Sequence, residues 1–239
     1  MRLALSALML SIPALAAAAD PAACSARSGT KVPLVVELYT SEGCNSCPPA
    51  DKWLGTLKDR GDVIALAFHV DYWDRLGWTD RFASPDWTRR QNHAASRSGA
   101  SFVYTPQVLV NARDYRRWPA LPTPAASTVD LSLVRDGDAY VARLTRRGAG
   151  APAELMGYWA VTENGHRTQV RSGENAGATL QHDAVVRELQ QVLLVDDQPL
   201  RFTPKSLPDA VSGPRPQRVQ FVVIDARSGV PVQAVALGC

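Results

Sequence analysis

Two adjacent prolines, Pro48 and Pro49, directly follow the segment Cys44-Asn45-Ser46-Cys47. A helix accepts proline only in its first turn, where backbone N–H groups have no partner inside the helix. Ala50, Trp53, Leu54 and Leu57 then recur at helical spacing. A helix is therefore expected to start near Cys47 and to end between Lys58 and Gly61. In front of it, residues 33–39 form an apolar run rich in branched side chains, which reads as a buried strand. Thr40-Ser41-Glu42-Gly43 closes that strand as a turn. The two thiols are thus expected at a strand-to-helix junction, with Cys47 at the helix N-terminus.

That position favours negative charge, because unpaired N–H groups and aligned peptide dipoles point at it. The thiolate is the reactive form of cysteine. Cys44 is expected to be the more exposed and more acidic thiol, the one that attacks a disulfide. Cys47 would then resolve the mixed disulfide. The same spacing occurs in zinc sites. A structural zinc ion needs four ligands, however, and no second C-x-x-C or neighbouring Cys–His pair is present. An inert structural disulfide is the other reading of this pair.

Residues 63–70 read as a second buried strand, followed by a loop rich in Trp and Asp over residues 71–83. Ser84-Pro85-Asp86 supplies a cap, a first-turn proline and a first-turn acid, so a helix is expected to run to about Ser98 and to stop at Gly99. Residues 107–110 read as a third strand. This alternation implies a mostly parallel sheet with helical crossovers. Residues 118–128 contain three prolines and read as a linker region. Beyond it lie short strand-like runs at 131–135, 139–144, 154–162, 167–171, 218–225 and 232–237, separated by turns such as Glu163-Asn164-Gly165. Periodicity leaves residues 185–194 as helix or strand.

The first twenty residues differ from the rest. A short positive start at Met1 and Arg2 precedes an apolar run and the small residues 16–19, the pattern of a secretory signal cut after Ala19. The formal charge of +3 includes Arg2 and is too weak to imply a nucleic-acid partner. Four cysteines remain in an exported chain, where disulfides persist. With Cys44 and Cys47 close by spacing, Cys24 and Cys239 are expected to pair and tie the two ends together. A loop of that length contributes about 5 kcal/mol in the chain-entropy account of disulfides.

Two further residues bear on the dithiol. Glu37 is an acid in an apolar strand, seven residues before Cys44. A buried carboxylate is costly without a purpose or a partner, so Glu37 either shuttles protons for Cys47 or is a surface-edge or salt-bridged acid. Thr105-Pro106 precedes the third strand. In thioredoxin-like proteins a cis proline at that point faces the dithiol and helps hold substrate backbone.

The chain resembles a secreted bacterial thioredoxin-like family of unknown function. Residues 38–51, from Leu38 through the dithiol to Asp51, are similar to its signature. His69-Val70-Asp71-Tyr72-Trp73-Asp74 with Gly77-Trp78 is similar to a second block, and Tyr104-Thr105-Pro106-Gln107 to a third. Ser172-Gly173-Glu174-Asn175-Ala176-Gly177, with Val185-Val186-Arg187, resembles a block in its C-terminal half. The resemblance implies an α/β thioredoxin-like domain over residues 20–118, while the prolines mark a linker at 119–128 and the short strand-like runs read as a β-rich, sandwich-like C-terminal domain over 129–239. It supplies no established reaction. Asn111-Ala112-Arg113 departs from the family's usual glycine turn, and Gly43 stands where thioredoxin has an aromatic residue.

His69, Trp73 and Trp78 lie past the C-terminal end of a strand, the end that hosts sites in open parallel sheets. Trp73, Trp78 and Thr105 are the expected substrate-binding residues; Cys44, Cys47, Pro106 and Glu37 are the expected catalytic ones. His93 reads as a helix-surface residue, and His166 and His182 as loop or surface residues. Glu174 and Asn175 read as a turn held by its own hydrogen bonds. The functional expectation is a periplasmic or secreted thiol–disulfide oxidoreductase that needs no metal and no organic cofactor. Its partners would be protein or small-molecule thiols and disulfides, with no membrane attachment after signal cleavage. Two other readings stay open. One is a Cu(I)-handling protein that adds His69 to Cys44 and Cys47 as donors; the other is a non-catalytic binding protein.

Overall fold

Residues 24–194, 198–205 and 215–239 are described by the computed structural model. The expected signal segment, residues 1–19, lies outside them. The strands and helices in chain order are β1 (Ser25–Arg27), β2 (Leu34–Thr40), α1 (Pro48–Gly55), β3 (Val63–His69), α2 (Pro85–Ser98), β4 (Gln107–Val110) and β5 (Arg113–Asp114). The second half adds β6 (Val129–Asp136), β7 (Ala139–Arg146), β8 (Leu155–Glu163), β9 (His166–Gln169), β10 (Thr179–His182), β11 (Val185–Leu193), β12 (Leu200–Phe202), β13 (Gln217–Asp225) and β14 (Pro231–Leu237).

Every residue of β2 and of β3 is buried, as expected for strands covered on both faces. They pair in parallel, from Leu34 opposite Val63 to Thr40 opposite His69. β4 runs antiparallel to β2. The β4–β5 turn places both Asn111 and Ala112 at positive φ, 49° and 64°. Asn111 compensates locally: its Oδ1 accepts the Val35 N–H, and its own N–H reaches the Val35 carbonyl. Ala112 thus adopts the left-handed conformation that alanine disfavours.

The sheet does not end with these strands. At the other edge of β3, Val185 of β11 pairs in parallel with Ala67, and the Ala67 N–H donates to the Ala184 carbonyl at 2.8 Å. β11, β8, β13 and β14 then continue as antiparallel neighbours, giving one eight-stranded sheet in the order β14-β13-β8-β11-β3-β2-β4-β5. This corrects the expected α/β thioredoxin-like domain followed by a β-rich, sandwich-like domain. Among the described residues strands dominate, with two α-helices, and a single sheet of mixed direction runs through both halves. The physical reason is the edge of β3: its unpaired backbone groups are completed by a strand from beyond residue 128 rather than left to solvent. Residues 185–193, ambiguous by periodicity, are strand because they join that edge.

One face of the large sheet carries two layers. α1 and the turn after it pack on β2, β3 and β4 through Ala50, Leu54 and Leu57. A four-stranded sheet, β1-β6-β7-β12, packs on β8, β13 and β14 around Trp159 and Phe221, whose ring centroids lie 4.4 Å apart. On the opposite face α2 brings Trp87 and Ala94 onto Tyr39, Ile64 and Phe68. Ser84 caps α2 by accepting the Asp86 N–H, and Gly99 ends it at φ 71°. Cys24 is joined to Cys239 with Cα atoms 6.2 Å apart, and β1 pairs with β6, so both described ends are tied into the β-rich half. No helix among the described residues is long and apolar enough to cross a membrane.

Gly157 of β8 marks where this core has no room. A Cβ there would lie 2.8 Å from the Phe221 ring and 3.2 Å from Leu194. Phe221 is fully buried and packed against the Trp159 ring at a tilt of 38°, so it has nowhere to retreat. Gly157→Ala is expected to destabilise the fold by about 1–3 kcal/mol, the range for overpacking a filled core. Urea unfolding of the variant beside wild type measures it, and equal midpoints would contradict the packing described.

Candidate functional site

Cys44 and Cys47 are bonded to each other, with Cα atoms 5.4 Å apart. β2 delivers the chain to this point and α1 leaves it. Cys47 caps α1 with helical backbone angles, and its carbonyl accepts the N–H groups of Ala50 and Asp51. Asn45 and Ser46 are exposed, whereas both cysteines are fully buried. Cys44, expected to be the more exposed, is as covered as Cys47. The Ser46 hydroxyl lies 3.4 Å from Cys44 Sγ and donates to it.

Trp73 lies against the backbone just before Cys44: a Cβ on Gly43 would stand 3.2 Å from Trp73 Cβ. That contact explains the absence of a side chain at position 43. The Trp73 indole N–H donates to Thr105 Oγ1 at 2.8 Å, and the Thr105–Pro106 peptide is cis. Gly43, Trp73 and Thr105 are therefore in one connected set. Trp78 is differently employed. Its indole N–H donates to buried Glu42 at 2.8 Å.

A second segment, from far along the chain, closes over the dithiol. The Asn175 side-chain amide donates to the carbonyls of Glu42 at 2.9 Å and Cys44 at 3.0 Å. The Asn45 N–H donates to the Glu174 carboxylate at 3.2 Å. Ser172 donates to the Gly77 carbonyl at 2.5 Å. The expected turn keeps its own bonds, from the Ala176 N–H to the Gly173 carbonyl and from the Ala178 N–H to the Asn175 carbonyl, and its side chains in addition form a clamp on segments 95 to 133 residues away. A glycine-flanked Glu-Asn pair was the available signal, but its target was not readable from local sequence.

Behind the dithiol is a buried group of acids and histidines. Asp51, one turn along α1 from Cys47, accepts the Thr40 hydroxyl at 2.9 Å. His69, at the end of β3, meets Asp80 through Nδ1 at 2.6 Å. Asp80 also accepts the Glu42 and Phe82 N–H groups. Burial pushes the Asp80 carboxyl up, but His69 and these donors outweigh it and hold it below the ordinary carboxylate range. His182 of β10 has Nε2 3.3 Å from Glu42 and Nδ1 3.9 Å from Asp51. Burial lowers the affinity of His182 for its proton, yet Asp51 and Glu42 prevail and raise its pKa to about 10. The expectation that His166 and His182 are loop or surface residues is corrected, since both lie in strands and are buried. His93 is exposed on α2.

Glu37 is placed elsewhere. Its neighbours Val36 and Leu38 pack with α1, so Glu37 projects to the opposite face of β2. There Arg90 of α2 approaches it at 2.7 Å and the Tyr39 hydroxyl donates to it at 2.9 Å. The geometry commits Glu37 to Arg90, not to Cys47. His69, for its part, joins Asp51 and His182, and this group does not include the cysteines.

These features define a protein with a buried, bonded C-x-x-C pair at a strand-to-helix junction, clamped by a loop from the other half of the chain. The chain belongs to the family described as "Protein of unknown function (DUF1223)", which matches residues 35–224. Among solved structures it is similar to protein AGR_C_4864 from Agrobacterium tumefaciens, with 29% identity and a TM-score of 0.60 over 88% of this chain and 96% of that one. It is also similar in fold to HBP35 of Porphyromonas gingivalis, at 14% identity and a TM-score of 0.52, covering 87% of this chain and 76% of that one. No curated protein matches it.

The clamp has a measurable consequence. Asn175→Ala removes two hydrogen bonds and is expected to cost about 1–2 kcal/mol in stability. It should also raise the rate at which dithiothreitol reduces the Cys44–Cys47 disulfide. A rate equal to wild type would show that this loop does not guard the sulfurs.

Proposed function

We propose that the Cys44–Cys47 pair exchanges disulfides with thiols or disulfides of other molecules, and that the protein works outside the cytoplasm. One observation carries the reading: the pair is bonded at the start of α1, next to exposed Asn45 and Ser46, while the other disulfide, Cys24–Cys239, ties the chain ends. One disulfide thus staples the chain, and the other sits where a thiolate is favoured. Two disulfides in one chain suit an oxidising compartment, in keeping with the signal pattern of residues 1–19.

In the reduced protein the Cys44 thiolate attacks one sulfur of a partner disulfide. A bond forms between Cys44 and that sulfur, and the other partner sulfur leaves as a thiolate. The Cys47 thiolate then attacks Cys44 Sγ, closing the Cys44–Cys47 bond and releasing the second partner thiolate. The two electrons of the dithiol end on the partner, and the reverse sequence oxidises a partner dithiol. Trp73 and Thr105, with Pro106 beside it, offer a wall next to Gly43 against which a partner segment would lie. Access to Cys44 requires the clamp of residues 172–177 to lift, which selects partners able to displace it. No metal or organic cofactor takes part in these steps.

Glutathione disulfide tests the order of events. After reduction, Cys47→Ser is expected to accumulate one glutathione per chain on Cys44, visible by mass spectrometry. Cys44→Ser should accumulate several-fold less, and wild type should return to its internal disulfide. Equal adducts on both variants, or none on Cys47→Ser, would contradict the assignment of Cys44 as the attacking thiol.

A further inference from the structure

Two imidazoles and a carboxylate meet behind α1 in an arrangement that the disulfide chemistry does not use. Asp51, His69 and His182 each place one ligand atom within 4.8 Å of the others, and all three are buried. Each imidazole is backed by an acid. His69 engages Asp80 through Nδ1 at 2.6 Å, which leaves Nε2 to face the group; that nitrogen is buried without a hydrogen-bond partner among the described residues. His182 lies 3.3 Å from Glu42 through Nε2, so Nδ1 is turned toward Asp51, and neither of its ring nitrogens makes an aligned hydrogen bond. A carboxylate behind each imidazole is the outer shell that orients metal-bound histidines and strengthens them as donors.

The distances agree with a shared ion better than with direct pairing. His182 Nδ1 and Asp51 Oδ1 are 3.9 Å apart. That is too long for a hydrogen bond, but two ligands that each approach one ion at about 2.0–2.2 Å can span it. Asp51 keeps Oδ1 free for this, because Thr40 occupies Oδ2. The charges point the same way: the three carboxylates of Glu42, Asp51 and Asp80 outnumber the two imidazoles, and a dication that displaces the His182 proton would balance them. An entry path exists, since Asp51 and His182 also line a cavity of about 450 Å³ between α1 and β10 that opens beside Lys52 and Gln181.

We propose that Asp51, His69 and His182 form a binding site for one divalent transition-metal ion of the zinc class, with Asp80 and Glu42 as its outer shell. Three nitrogen and oxygen ligands leave a fourth position open, available to water. The site is separate from the thiols, so it stands or falls independently of the exchange reaction. It ties α1, β3 and β10 together beneath the disulfide and would stiffen the seam between the two halves.

The test uses the full mature chain with both disulfides intact, stripped by chelator and titrated with Zn²⁺ alone in a calorimeter. One ion per chain is expected. Affinity should fall at least about tenfold in Asp51→Asn and in His182→Gln, and about 10–100-fold in Asp80→Asn, which retains all three ligands. Cys44→Ser/Cys47→Ser should bind as wild type does. Absence of stoichiometric binding, indifference to His182→Gln, or loss of binding in the double cysteine variant would overturn the site. Should His182→Gln fail to fold, Co²⁺ added to the wild-type protein decides. Visible bands of a nitrogen–oxygen site, saturating at one equivalent, support the proposal; a thiolate-to-cobalt band or an unchanged spectrum overturns it.

Discussion

The seam between β3 and β11 is the constraint on which the rest of this molecule depends. It is narrow: Val185 pairs with Ala67, and the Ala67 N–H reaches the Ala184 carbonyl. Ala184 holds a left-handed φ of 54° to make the turn, a conformation that costs about 1 kcal/mol or more for a residue with a Cβ. Asn164 offsets this by accepting the Ala184 N–H at 2.8 Å. Through this short contact, two groups of strands become one sheet. The same contact brings β10 and residues 172–177 over the C-terminal ends of β2 and β3, where the dithiol lies.

Burial of charge explains why the seam and the site belong together. Glu42, Asp51 and Asp80 are all removed from water, and a buried carboxylate without partners is strongly unfavourable. Each finds partners on a different element. Trp78 and His182 serve Glu42, Thr40 serves Asp51, and His69 serves Asp80. The first half supplies a partner for each acid, and His182 of the second half adds a contact to both Glu42 and Asp51. On the far face the same logic binds Glu37 to Arg90 and Tyr39. The polar network is therefore part of what specifies how the halves join, and the disulfide rests on top of it.

Much of the local structure was legible in the residues. Pro48-Pro49 placed the start of α1 and Ser84-Pro85-Asp86 the start of α2, because capping and first-turn geometry act over only a few residues. The pairing of Cys24 with Cys239 followed once the C-x-x-C pair was set aside. What escaped the sequence depends on partners distant along the chain. His166 and His182 lie in short strands, and the groups that bury them are not encoded nearby. Asn175 bonds carbonyls at Glu42 and Cys44, and no spacing rule connects those positions. The continuous sheet is not legible for the same reason: an edge strand gives no local sign of what will pair with it. Glu37 is a different case. Alternation along β2 separates it from Val36 and Leu38, so its face was readable once α1 was assigned to theirs.

The reduction potential of the Cys44–Cys47 pair, measured by equilibration of the full mature chain with glutathione redox buffers, tests the central claim most directly. A pair that exchanges with partners should titrate between about −270 and −120 mV, the span of dithiols that work by exchange. A potential below about −300 mV, typical of disulfides that serve only to hold structure, would contradict the claim that this disulfide is the working site.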